Sequence, residues 1–160
     1  MSDAVLQKVL SDGLSGRGAH ANTADALDGL SIQQAGAFIP GSPHTIFQIV
    51  NHLSFWQNFA LAWIDGDKPA TPESAALSWP SDATPNSEKE WEDALAGFRE
   101  GLASVCERVD RGDLSERVGE KHAAEILQII ASHNSYHIGQ VALLRRIQAA
   151  WPPPAGGVTW

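Results

Sequence analysis

Cysteine is nearly missing from this chain: Cys106 stands alone in 160 residues, so no intramolecular disulfide can form. It lies in LASVCERV beside an apolar helical seam, with Arg108 as its lone basic neighbour and no histidine close in sequence. Nothing there stabilises a thiolate, and a buried, unreactive thiol is expected. Basic residues are scarce as well. Eleven Lys and Arg, scattered along the chain, face nineteen Asp and Glu, for a net charge of −8. A nucleic acid or anionic membrane partner needs a basic face to neutralise its phosphates, so neither is expected. Long apolar runs are missing too. None approaches about 18 residues, and no basic start leads into an apolar segment, which predicts neither a membrane span nor a secretory signal. A soluble, cytoplasmic protein is the resulting expectation.

What the chain does have is helical periodicity, within a length that suits a single domain over 1–160. The first helix is expected over about Asp3 to Leu14, ended by Gly13, Gly16 and Gly18, with a short helical turn around Thr23 to Leu30. Ser42 as N-cap and Pro43 at the first helical position predict a second helix running to about Asp65. The stretch Gly66 to Ser87 is rich in Pro, Ser and Asp and reads as a long connection. A capping box of Ser87 and Glu90 starts the third helix, whose seam Trp91, Leu95, Phe98, Leu102, Val105, Val109 alternates steps of four and three. The fourth is expected over about Glu120 to Ala149, stopped by Pro152, Pro153 and Pro154. No strand pattern is convincing. The fold class is therefore all-α, a four-helix bundle with a long crossover between its second and third helices, which lets those two run parallel. Residues 150–160 form a Pro/Gly/Trp tail, and Trp151 and Trp160 are expected to dock rather than hang in solvent.

Three histidines stand out. His133 and His137 in SHNSYHIGQ are four apart, so on a helix both rings project from one face. They sit in the seam Ile126, Ile130, His133, His137, Val141, Leu144, and His52 sits likewise in Ile49, His52, Trp56, Phe59, Trp63. Buried there, their six ring nitrogens need partners. Two alternatives satisfy them: hydrogen bonds within the core, or a shared divalent ion on three neutral imidazoles with a coordination position left open. Helix geometry sets two other histidines aside. His122 lies about 16 Å before His133, and His44 about 12 Å before His52 and rotated about 80°. His20, in the glycine-rich GLSGRGAHAN, is the remaining one free to reach the metal or a ligand.

NHLSFW in the second helix, HNSYHIGQVALLRR in the fourth and the closing AAWPPPAGGVTW give the chain its resemblance to the DinB/YfiT-like superfamily of metal-binding four-helix bundles. The resemblance covers essentially the whole chain. It implies an up-down-down-up bundle, homodimers, and a metal site of His52, His133 and His137 that takes zinc or nickel. Tyr136 and Gln140 match the flanking motif positions. Gln140 is expected as a core amide bonded to backbone, and Tyr136, about 100° off the seam, as a packing or hydrogen-bonding residue rather than a catalytic acid. The family's characterised enzymes are transferases and isomerases using low-molecular-weight thiols such as mycothiol or bacillithiol. The resemblance thus implies a divalent metal ion and a small-molecule thiol as cofactors, with an electrophile as substrate and Cys106 idle. The alternative is a stress-associated metal- or ligand-binding bundle without turnover. No general base or thiol-recognition motif decides between them, since Asn51, Arg17 and Gln140 are generic.

Overall fold

Local side-chain bonds fix where the helices begin. In the computed structural model, which describes residues 3–157, α1 covers Asp3–Ser15, the short α2 Ile32–Ala35, α3 Ile46–Asp65, α4 Glu88–Arg111 and α5 Ala123–Ile147. The N-cap of α3 is Thr45, three residues later than Ser42. Thr45 Oγ1 accepts from the Gln48 amide and Gln48 Oε1 accepts from the Thr45 amide, so two unpaired donors of the first turn are satisfied at once. Ser42 instead donates its hydroxyl to the His44 carbonyl. The box at Ser87 is only half formed: its Oγ accepts from the Glu90 amide, but the Glu90 carboxylate accepts from the Asn86 amide. A two-residue antiparallel pair, β1 (Arg117–Val118) and β2 (Lys121–His122), turns at Gly119 with φ 64° and delays α5 to Ala123. That hairpin has too few residues for an alternating pattern to show.

The four long helices pack as an up-down-down-up bundle. Toward its middle α3 places Gln57 against Gly101 of α4, and toward its end Asp65 pairs with Arg108, so these two run parallel. A Cβ on Gly101 would stand 2.5 Å from Gln57 Oε1, so the end of the Gln57 side chain rests against the bare backbone of α4 there. α5 runs against α3, since Ile49 shares a hollow with Gln140 and Leu144, while Trp63 shares another with Ile126. α1 follows α5: Gly13 lies against Ala131, and His20 beyond its end bonds Ser135. The core between them draws on Leu10 and Leu14 of α1, Val50 and Leu53 of α3, Phe98 and Val105 of α4, and Leu127 and Ile138 of α5, all essentially inaccessible. At the mean gain of about 25 cal/mol per Å² of apolar surface, these side chains are the main source of stability. No helix of the described residues is long and apolar enough to cross a membrane.

The crossover and the tail are more ordered than their composition suggests. Within Gly66–Ser87 a 3-10 turn forms at Ala75–Ser78 and buries Ser78. In the last turn of α5, the buried Arg145 gathers three carbonyls, donating Nη1 to Ala26 and Asp28 and Nε to Ala150. The tail then folds back, with the Arg146 guanidinium 5.1 Å from the Trp151 ring centroid and Pro154 against Gly29. Trp151 is half-buried, as expected; Trp160 lies outside the described residues. Charge-assisted bonds of this kind contribute about 1.5–3 kcal/mol each. Arg145→Met, which keeps much of the volume but strands the three acceptors, should lower stability by about 3 kcal/mol in urea unfolding. A loss under about 0.5 kcal/mol would show that Arg145 does not clamp this end of the bundle.

Candidate metal centre

Each histidine is delivered by a helix whose register is fixed by its apolar seam. His52 comes from the second turn of α3, and His133 and His137 come from successive turns of α5 on the face that meets α3. His52 and His137 are 4 % and 5 % exposed, and His133 is half-buried. One ring nitrogen from each lies within 4.8 Å of the other two. The closest approach is between His52 Nε2 and His133 Nε2, at 3.1 Å. That separation suits two nitrogens bound to one ion at about 2.0–2.1 Å each.

The tautomers follow from the outer hydrogen bonds. The Ser78 hydroxyl donates to the Ala75 carbonyl at 2.7 Å, so towards His52 its oxygen can only accept. His52 Nδ1 therefore carries the proton and shares it between Ser78 Oγ at 3.0 Å and the Ser78 carbonyl at 3.1 Å. This leaves the lone pair on Nε2, facing His133. His137 Nδ1 donates likewise to Gln140 Oε1 at 2.7 Å, leaving its Nε2 free. Gln140 is thus not the backbone-bonded core amide expected. It holds the ring of a candidate ligand, one turn further along the helix, where its amide reaches Nδ1. His133 Nδ1 is buried with no hydrogen-bond partner among the described residues. Bonds from the second nitrogen orient a ligand ring and raise its basicity, and here they support two rings of the three.

The walls are aromatic. Trp79 stacks on His52 with centroids 3.7 Å apart, and His44 stacks on the other face of Trp79 at 3.5 Å. Trp56 stands roughly perpendicular to both His52 and His133 in T-shaped arrangements. Burial in this setting disfavours the imidazolium form. It pushes His52 and His133 down to about 4 and lowers His137 as well, with the neighbouring rings adding to the effect. At neutral pH all three are neutral donors, the form that binds a metal.

The other histidines lie elsewhere. His20 uses Nδ1 on the Ala21 carbonyl and Nε2 on Ser135 Oγ, away from the cluster. His122 bonds the Ser115 carbonyl and caps α5. His44 is outside the converging set, but the cause is not distance along a helix, because it precedes α3; Trp79 stands between it and His52. Tyr136 is 65 % exposed and meets His137 edge-on. Cys106 is half-buried, and burial, followed by the Asp110 charge, pushes its thiol up, which makes it a poor nucleophile. Ser78 and Trp79 escaped the sequence analysis, since the proline-rich connection around them has no period; a lone tryptophan there was the available signal.

A family model described as DinB superfamily matches residues 17–141, well over half of the chain and all three histidines. The chain belongs to the DinB superfamily. The all-α bundle expected from the resemblance is the one observed. No curated protein and no solved structure gives a significant match. DinB membership and the clustered histidines agree with one another without fixing a reaction.

In the unfolded chain these imidazoles titrate near their ordinary value of 6.5, whereas His52 and His133 resist protonation down to about 4. Between those values the unfolded chain binds more protons, so the metal-free protein should lose stability as pH falls from about 6.5 towards 4. Urea midpoints at pH 7.5 and 5.0 read this directly. A midpoint equal or higher at pH 5.0 would show that the rings are not held neutral.

Proposed function

We propose that this DinB chain is a divalent-metal protein in which His52, His133 and His137 hold zinc or nickel and leave a position open for a low-molecular-weight thiol. The observation that carries the proposal is the convergence of three neutral rings, two of them turned inward by Ser78 and Gln140. Such a donor set fits a catalytic-type site, with three protein ligands and one exchangeable position. A divalent ion held there would lower the pKa of a thiol at that position and so supply a thiolate at neutral pH. The chain's own residues then have defined tasks. Ser78 and Gln140 hold the imidazole tautomers, Trp56 and Trp79 exclude water, and Cys106, on α4, takes no part. In the transfer, the thiol sulfur forms a C–S bond to an electrophilic carbon. The leaving group departs with its bonding pair, and the thiol proton passes to solvent.

A second reading, a metal- or ligand-binding bundle without turnover, is favoured by the lack of a general base among the described residues around the cluster. Metal content and kinetics separate the two. His52→Ala, His133→Ala and His137→Ala should each abolish stoichiometric metal, because two nitrogens hold a divalent ion poorly. Gln140→Leu, which removes the His137 acceptor, should weaken affinity by roughly ten- to a hundredfold. Full metal content in all three alanine variants defeats the proposal. With the site loaded, conjugation of a small thiol to a model electrophile should be accelerated, and Cys106→Ser should keep that rate within about twofold. No acceleration with any small thiol supports the binding protein, and collapse of the rate in Cys106→Ser moves the nucleophile to the protein.

A further inference from the structure

Below the histidines the α3–α5 seam does not close. On α3 the row His52, Trp56, Phe59, Trp63 continues past the cluster, and on α5 the row His133, Ile130, Ile129, Ile126 runs beside it in the opposite sense. These six apolar side chains line a hollow of about 490 Å³. The hairpin turn at Gly119 meets Trp63 at its far end, and its polar atoms come from rim residues such as Thr71, Glu120 and Lys121. A core seam would fill such a space with side chains. Instead Trp56, Phe59 and Trp63 remain half-exposed and Ile129 is 53 % exposed.

None of the three histidines lines the hollow, yet it begins one helical turn from them on both sides. Trp56 follows His52 by four residues and touches the rings of both His52 and His133. Ile129 precedes His133 by four and so shares its face of α5. From Trp56 to Trp63 the apolar wall of α3 extends about 10 Å. Sites of this size, mainly apolar and next to a few convergent polar groups, suit the uncharged body of a small ligand. We propose that the hollow is the binding site for an uncharged aromatic or branched-aliphatic group, carried by the same small molecule whose sulfur head reaches the histidine cluster. The proposal rests on the metal-centre reading for the head, whereas the body is recognised by Trp56, Phe59, Trp63 and Ile129 alone. Continuity of the two walls identifies the occupant as one molecule with two ends, since both helices that present the histidines also line the hollow.

The test uses the full chain loaded with cobalt(II) and three probes: 2-phenylethanethiol, ethanethiol and 2-phenylethanol. Thiolate-to-cobalt charge-transfer absorption reports the head, and tryptophan fluorescence reports the body. The aromatic thiol should bind roughly ten- to a hundredfold more tightly than ethanethiol, from burial of its ring. Phe59→Ala and Ile129→Glu, each checked for retained cobalt, should bring the aromatic thiol down to ethanethiol's affinity. Equal affinities of the two thiols for the parent protein, or an undiminished preference in both variants, overturn the proposal. Failure to take up cobalt defeats the metal-centre reading instead, and 2-phenylethanol then decides the hollow. A fluorescence response that Ile129→Glu removes supports the site, and no response overturns it.

Discussion

Six imidazole nitrogens set into an apolar seam impose the constraint around which this end of the bundle is arranged. Each unpaired buried nitrogen costs about 1–3 kcal/mol, comparable to a large part of a domain's net stability. His52 meets the constraint through the crossover, which doubles back to place Ser78 under Nδ1. His137 meets it within its own helix through Gln140. The long connection between α3 and α4 is thus a structural part of the cluster. It has to be long because α3 and α4 run parallel, and the chain must return the length of a helix before starting α4.

The seams were readable in the sequence because they repeat. Steps of four and three in Trp91 to Val109 specify one buried face of α4, and that face is the buried one. His52, His133 and His137 were legible for the same reason: each interrupts an apolar row where a hydrophobic residue would cost less. What escaped lacks a period. Ser78 and Trp79 act through a 3-10 turn inside a proline-rich stretch, and no local pattern marks which residue of such a stretch returns to the core. Gln140 was visible but assigned to the wrong partner, since spacing says that two side chains meet and not which atoms pair. The start of α3 shows two signals in competition. Ser42-Pro43 fits a helix start, but Thr45 with Gln48 closes two backbone bonds instead of one, and that arrangement sets the boundary.

Arg145 shows what a buried cation can do when carbonyls, rather than a carboxylate, receive it. Its three bonds join the end of α5 to the segment after α1 and to the first residue of the tail. A lysine could not span these acceptors in one plane, because its donors radiate from a single nitrogen. The clamp sits at the end of the bundle opposite the hairpin, where Pro154 of the tail comes back against Gly29.

Burial at the histidines favours the same neutral ring form that the proposed metal site requires. The aromatic walls keep water from the rings, which holds His52 and His133 unprotonated to about pH 4. A divalent ion held there as proposed would meet no proton competition at neutral pH, and none of its binding energy would be spent displacing protons. The same walls carry a cost, since indole and imidazole stacked in a bundle leave irregular space that aliphatic side chains would have filled. On the α5 side it stays open as the hollow below Trp56, so the seam that carries the imidazoles also carries the space proposed above for an apolar group.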